Sequence, residues 1–150
     1  MIRIAICDDE KHMSDHIRAM ASDFFRKKNR EIQLRTFLSG EELLNYDGQI
    51  DILFLDIQMN GVDGLETARK LRAGKFRGFL IFITVLKEMV FQSFEVQAYD
   101  YLVKPVDKKQ FEKTMERLYT SMQNASEYSL LVQKGYEGRV ICLLYTSDAC

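Results

Sequence analysis

Three segments of this 150-residue chain are apolar at nearly every position, and this strongly limits the folds it can adopt. A strand with one face in water alternates apolar and polar residues, whereas a strand covered on both faces is a continuous apolar run. Such runs are typical of parallel sheets with helices on both sides. With two more mixed segments, we predict five strands: IRIAIC (2–7), IQLRTF (32–37), IDILFL (50–55), GFLIFIT (78–84) and DYLV (100–103).

The stretches between the strands have the spacing of amphipathic helices. Two of them place apolar residues at steps of four, three and four, which predicts one buried stripe on each helix: Met13, Ile17, Met20 and Phe24, then Phe111, Met115, Leu118 and Met122. Ser39 and Glu42 have the spacing of a capping box, which predicts a helix start there. Residues 64–71 give a further helix, and residues 87–96 give a more ambiguous fourth one.

A βα unit repeated five times predicts an α/β fold with right-handed crossovers. We predict a flavodoxin-like (βα)5 three-layer sandwich, built on a parallel five-stranded sheet of order 2-1-3-4-5. Ligands of such sheets bind outside the carboxyl ends of the strands, at the point where the strand order reverses. The first and third strands flank that point, so functional residues are expected where these strands end.

Polar residues stand at the carboxyl ends of four of the predicted strands: Asp8 and Asp9, then Asp56, Thr84 and Lys104. Each alone could be a helix cap, a strand residue or a solvated surface group. Together they predict a site, since carboxylates that share a pocket repel one another unless a cation neutralises them, and Mg²⁺ suits such oxygen ligands. A carboxylate beside this ion can attack phosphorus and form an aspartyl phosphate, while a nearby ammonium group neutralises charge.

Composition excludes several function classes. The formal net charge is −1 and no basic block stands out, which argues against nucleic-acid or membrane binding by this segment. No apolar run approaches the ~20 residues that span a bilayer, and the N-terminus lacks a signal-peptide pattern, so we expect a cytoplasmic protein. Cys7, Cys142 and Cys150 show no metal-ligand spacing. Cys7 is expected to be a small buried strand residue.

The motifs CDDE, LDIQMNGVDG, IFIT and YLVKP occur here in an order and spacing that resemble the receiver domain (CheY-like) of bacterial two-component response regulators. The resemblance covers residues 1–123. It implies that Asp56 is the phosphoacceptor, that Asp8 and Asp9 join Asp56 as Mg²⁺ ligands, and that the backbone carbonyl of Gln58 completes the metal site. It also implies that Thr84 and Lys104 contact the phosphoryl oxygens.

The same resemblance implies a switch and a set of partners. Tyr101 matches the aromatic switch residue, which would turn inward as Thr84 moves, and a cis Lys104-Pro105 bond would aim the ammonium group into the pocket. A sensor histidine kinase would supply the phosphoryl group. The fourth helix, fifth strand and fifth helix would then repack, and they would form a homodimer surface on phosphorylation.

Two positions depart from the family pattern. Asn60 stands where proline is common, which makes the loop after Asp56 less rigid. Val85 follows Thr84 where a smaller residue is usual, and its branched side chain would narrow the approach to Asp56. We nevertheless expect a site that can be phosphorylated, with no expectation for the lifetime of the phosphoryl group.

The end of the chain differs from the receiver pattern. Residues 124–141 comprise a polar break and, from 129, a strand–turn–strand pattern that resembles the start of a LytTR-type DNA-binding domain. DNA contact would come through the missing part of that output domain. Residues 142–150, CLLYTSDAC, resemble one reading frame of a sequencing adapter, and we predict a non-native read-through, with a genuine short tail as the alternative.

Two other functions were weighed. A Mg²⁺-dependent phosphatase would use the same aspartyl-phosphate chemistry, but the haloacid-dehalogenase type needs two acids separated by one residue, which CDDEK does not supply. A flavodoxin-like cofactor binder would need a glycine-rich loop after the first strand, and none is present. We therefore expect a LytTR-type transcription regulator controlled by phosphorylation, and not an enzyme.

Overall fold

The computed structural model describes residues 1–59, 61–74, 76–85 and 94–133, with side chains up to residue 125. The strands are β1 (Ile2–Cys7), β2 (Ile32–Phe37), β3 (Ile52–Leu55), β4 (Phe79–Thr84) and β5 (Asp100–Val103). The helices are α1 (Lys11–Lys27), α2 (Gly40–Leu44), α3 (Gly64–Ala73), a 3₁₀ turn (Phe94–Val96) and the C-terminal helix (Lys108–Gln133). Contacts divide the chain into two compact units, 1–112 and 113–150, and the first holds all five strands.

The five strands form one parallel sheet of order β2-β1-β3-β4-β5, which confirms the predicted fold class. In the centre of the sheet, Ile4 of β1 pairs with Ile52 of β3, and Cys7 pairs with Leu55. This register brings the carboxyl ends of β1 and β3 to the same level. The residues that follow these two strands therefore start from adjacent positions.

Both faces of the sheet are covered, because successive side chains of a strand point to opposite sides. Leu53 and Leu55 of β3 join one core cluster with α2 and α3, through buried residues that include Leu43, Leu65 and Ala68. On the other face, the Phe54 ring stacks on Phe111, with 5.7 Å between the ring centroids. Helix α1 contacts β1 and β2. The apolar run of β3 is thus explained by burial on both sides.

The helix predictions hold where local signals are strong. Ile17, Met20 and Phe24 are buried on α1, as their spacing predicts. At the start of α2, Ser39 Oγ accepts a hydrogen bond from the Glu42 N–H at 3.1 Å, and the Glu42 carboxylate accepts one from Leu38 N–H. The capping box is therefore present, with its second bond shifted by one residue.

Two predicted elements differ from the structure or lie partly outside it. Of the predicted fourth helix (87–96), the structure describes only the 3₁₀ turn from Phe94 to Val96. The strand predicted from residue 129 is wrong over its first five residues, because the C-terminal helix continues to Gln133. The stretch up to there contains no glycine or proline to end a helix, and the first one is Gly135. Residues 134–141 lie outside the described part.

Among the helices of the described ranges, none has the length and apolar character needed to cross a membrane. The receiver boundary predicted after residue 123 and the non-native origin predicted for 142–150 stay predictions.

We expect Phe54→Ala to lower the free energy of unfolding by about 3–5 kcal/mol, because it leaves a cavity under Phe111 in a fully buried part of the core. Urea unfolding followed by circular dichroism measures the change. Phe94→Ala is the matched control, since Phe94 is 68% exposed, and it should change stability by less than about 0.5 kcal/mol. Equal effects of the two substitutions would contradict the described packing.

Candidate functional site

The sheet ladder extends by one bond past the ends of β1 and β3, and this positions two acids. Asp8 N–H donates to the Phe37 carbonyl at 3.1 Å, and Asp56 N–H donates to the Cys7 carbonyl at 3.0 Å. Both side chains are buried, with 3% and 5% of the residue exposed. The backbone at these two acids is therefore held by the sheet and not by a free loop.

Lys104 lies between the two buried acids. Its Nζ atom is 2.9 Å from Asp8 Oδ2 and 3.1 Å from Asp56 Oδ2, and only 9% of its side chain is exposed. The backbone N–H of Lys104 donates to the Thr84 carbonyl at 2.9 Å, which ties the residue to the end of β4. The Lys104-Pro105 bond is cis, as the resemblance implies. One ammonium group is thus shared by two carboxylates.

The second oxygen of each acid accepts a backbone hydrogen bond. Asp56 Oδ1 accepts from Gln58 N–H at 3.1 Å, and Asp8 Oδ1 accepts from Glu10 N–H at 2.9 Å. Each bond closes a short turn two residues beyond the acid. These bonds fix the orientation of both carboxylates before any ligand is bound.

Charges in the site shift two pKa values. The pKa of Asp56 is raised, mainly because burial penalises the ionised form, and repulsion by Asp8 adds to the effect although Lys104 opposes it. Burial by itself would lower the pKa of Lys104, but the hydrogen bonds and charges of Asp8 and Asp56 outweigh it and raise that pKa. The lysine stays charged, while the ionised form of Asp56 lacks full compensation.

A third acid makes the site suitable for a metal ion. Asp8, Asp9 and Asp56 each offer a carboxylate oxygen, and these oxygens lie within 4.8 Å of one another. Three acids against one lysine leave a net negative charge, and hard divalent cations prefer oxygen ligands. The residues therefore fit a divalent cation, which would relieve the repulsion between the carboxylates.

The structure places the other predicted site residues near this edge of the sheet. Thr84 is fully buried at the end of β4 and pairs with Val103, the residue before Lys104. Tyr101 is half-buried against the core cluster of α2 and α3, with its ring centroid 6.5 Å from that of Phe82. Its hydroxyl oxygen is buried. The ring thus points inward in this structure.

The structure tests only some of the remaining predictions for this edge of the sheet. Cys7 is buried as predicted, with 1% exposed, and burial together with the neighbouring acids raises the pKa of its thiol to about 12. Val85 is 54% exposed, and its effect on access to Asp56 stays a prediction. Asn60 lies outside the described residues. The metal role predicted for the Gln58 carbonyl also stays a prediction.

Two contacts that support the site are not evident from the sequence. A Cβ atom on Gly64 would lie 2.2 Å from the Asp56 carbonyl oxygen, so only glycine fits where α3 begins. Glu41 of α2 accepts a hydrogen bond from Val62 N–H at 3.0 Å, which fastens the loop between Asp56 and α3. The available signal was a glycine in the first turn of a helix, where alanine is the better helix former.

This fold and this acidic edge define an α/β domain with a candidate metal site, and comparison with known proteins identifies its family. The family model described as "Response regulator receiver domain" matches residues 4–116. Because the match covers most of the chain, the protein belongs to the response regulator receiver domain family. The family match gives no support to the phosphatase or flavodoxin-like alternatives.

Relatives extend this result. The transcriptional regulatory protein BtsR of Escherichia coli (strain K12) is 34% identical over 125 residues, covering 79% of this chain and 48% of BtsR. The sensory transduction protein LytT of Bacillus subtilis is 29% identical over 119 residues, covering 78% of this chain and 48% of LytT. The chain thus spans about half the length of these curated relatives. Among solved structures, response regulator TrrA from Thermotoga maritima, in complex with Mg(2+)-BeF, has 28% identity and a TM-score of 0.62, covering 79% of this chain and 99% of that one.

We expect Asp56→Asn to stabilise the protein at pH 7 without divalent cations, because it removes a buried charge whose desolvation raises the pKa of Asp56. The pKa of Asp56 is higher in the folded than in the unfolded chain, so the ionised form lowers stability. That loss is complete above the folded pKa and vanishes below the unfolded value, about 4. The gain from the substitution should therefore shrink as the pH falls.

Urea unfolding between about pH 4 and pH 8 measures this difference. Asp47→Asn is the control, since Asp47 is an exposed acid outside the cluster, and it should show no such pH-dependent gain. A loss of stability for Asp56→Asn at pH 7 would show that Lys104 compensates the buried carboxylate fully.

We expect Gly64→Ala to destabilise the protein by about 2 kcal/mol or more, because the new methyl group meets the backbone of Asp56 and Ile57. Gly74→Ala is matched to it at the other end of α3, where a Cβ atom has ordinary contacts of 3.5 Å. Thermal unfolding of both variants gives the comparison. If the two alanine variants melt together, the close approach at Gly64 is not present in solution.

Proposed function

We propose that this domain is a phosphorylation switch in which Asp56 is the phosphoacceptor. The observation that carries the proposal is the contact of Lys104 with both Asp8 and Asp56, beside a cluster of three acids. The bond between phosphorus and its leaving group breaks as an Asp56 oxygen bonds to phosphorus, which gives an aspartyl phosphate. A sensor histidine kinase is the proposed donor, and its histidine leaves as the electron pair returns to nitrogen.

Each residue around Asp56 has a separate role in the proposed phosphoryl transfer. Lys104 Nζ contacts Asp56 Oδ2 and offers positive charge beside the incoming phosphoryl oxygens. Gln58 N–H holds Oδ1, so the carboxylate cannot rotate freely. Thr84, at the end of β4, is the proposed hydroxyl contact of the phosphoryl group. Asp56 and Lys104 are both largely buried, and charges attract one another more strongly in a buried environment than in water.

We propose Mg²⁺ as the metal, held by Asp8, Asp9, Asp56 and the Gln58 carbonyl. The acidic cluster supports a hard divalent cation, and TrrA was solved with Mg(2+)-BeF. When bound, the ion neutralises charge on the transferring group. Asp8 would then share its carboxylate between the ion and Lys104.

We further propose that the domain controls a LytTR-type DNA-binding output and acts as a switch rather than as an enzyme. Support comes from BtsR, a transcriptional regulatory protein about half of which aligns with this chain. DNA would be bound by that output domain. A homodimer through the fourth helix, β5 and the C-terminal helix, and a cytoplasmic location, stay predictions.

Phosphodonor labelling tests the central proposal. Incubation with acetyl phosphate and Mg²⁺ should add the mass of one phosphoryl group to the intact protein, because the Asp56 carboxylate is held in place beside Lys104. Chelation of Mg²⁺ and the Asp56→Asn variant should each abolish the gain, whereas Asp47→Asn should leave it unchanged. Absence of any gain, or a gain retained by Asp56→Asn, would overturn the assignment.

A further inference from the structure

Arg72, near the end of α3, makes three hydrogen bonds that the proposed switch does not use. Its Nε atom donates to the Val96 carbonyl at 2.8 Å, Nη1 to the Gly78 carbonyl at 3.0 Å and Nη2 to the Gln97 carbonyl at 3.0 Å. The planar guanidinium group suits this arrangement, since its donors are fixed in one fork. One half-buried side chain therefore fastens α3 to two separate segments.

The segment that Arg72 holds leads directly into β5. Gln97 has a φ of 55°, a left-handed conformation that is unfavourable for a non-glycine residue. Arg72 binds the carbonyl of that residue. Two residues later, Tyr99 N–H donates to the Leu80 carbonyl, and β5 with Tyr101 follows. The position of residues 94–97 thus sets where the strand of Tyr101 begins.

The other end of α3 is fixed to the backbone of Asp56. Gly64 N–H donates to the Ile57 carbonyl at 2.8 Å, and the space beside Gly64 is filled by the Asp56 carbonyl. Helix α3 runs without interruption from Gly64 to Ala73. The first residue of α3 therefore contacts the main chain at Asp56. Near its other end, Arg72 of α3 contacts residues 96–97.

Two further contacts tie α3 to the same segment. Arg69 Nη2 is 3.4 Å from Glu95 Oε2 in an exposed ion pair. Leu65 and Ala68 belong to the buried cluster that contains Val96, and Tyr101 packs against that cluster. The exposed ion pair contributes little, whereas Arg72 donates to backbone carbonyls from a half-buried position. Arg72 is therefore the main polar link.

We propose that Arg72 is a positioning residue that couples the Asp56 backbone, through α3, to residues 94–97 and so to Tyr101. This inference rests on the proposed function, because it requires that occupancy of the site at Asp56 alters the domain. It adds a connection through α3 to the switch of Thr84 and Tyr101 that the family resemblance implies. Removing Arg72 should leave binding at Asp56 intact and weaken the response of residues 94–103.

Hydrogen exchange with and without BeF₃⁻ and Mg²⁺ measures that response, and ¹⁹F NMR of bound fluoride measures occupancy of the site. In the unsubstituted protein, BeF₃⁻ should slow exchange of peptides within 94–103. In Arg72→Gln, this change should shrink by about threefold or more, whereas BeF₃⁻ affinity stays within about twofold. A loss of packing alone would raise exchange in both states and would not remove the difference between them.

Arg77→Gln is the matched control. Arg77 Nη1 donates to the carbonyls of Arg72, Gly74 and Phe76, all near the end of α3, and to none in residues 94–97. This variant should respond to BeF₃⁻ as the unsubstituted protein does. Arg72→Lys, which keeps the charge but not the fork, should give an intermediate response, and it decides the question if Arg72→Gln does not fold.

The other outcomes contradict either the coupling through Arg72 or the proposed function. A full response in Arg72→Gln or Arg72→Lys overturns the coupling, and so does an equal loss in Arg77→Gln. Bound BeF₃⁻ without any change in 94–103 of the unsubstituted protein also overturns it. If no bound fluoride is detected in the unsubstituted protein, the proposed function itself fails.

Discussion

The contact of one lysine with two buried carboxylates holds together the edge of the sheet where the candidate site lies. Lys104 Nζ is within 3.1 Å of both Asp8 and Asp56, which come from the ends of different strands. At this burial, an acid without a nearby positive charge would be protonated or would destabilise the fold. The lysine reduces that penalty and leaves a net negative charge. The two acids can therefore be buried without unfolding the sheet edge, and the remaining negative charge favours binding of a cation.

The core fixes the positions of these charges. The four residues of β3 are buried on both faces, and the ladder bond from Asp56 N–H to the Cys7 carbonyl continues the pairing of β3 with β1. Beyond Asp56, Gly64 allows α3 to begin against the backbone of the acid. At its far end, α3 is fastened by Arg72 to the segment before β5. Helix α3 is thus in contact with the backbone of Asp56 at one end and with the segment before β5 at the other.

Local sequence signals predicted much of this structure. Continuous apolar runs indicated the central strands, and apolar steps of four and three indicated α1. The end of the C-terminal helix was predicted wrongly, because SLLVQ has strand-like composition and yet follows a helix without a glycine or proline between them. Helix propagation adds one bond per residue at little further cost, so an existing helix can override a weak strand preference.

The sequence by itself determined the fold class and the identity of the polar groups at the strand ends. Both can be read locally, from the apolar pattern of each strand and from the residues at its end. Only the tertiary structure decided how those groups meet. Three contacts depend on strand register and helix placement. Lys104 binds both Asp8 and Asp56, Gly64 lies against Asp56, and Arg72 binds three distant carbonyls. These are set by the packing of residues far apart in the chain, which no short pattern records.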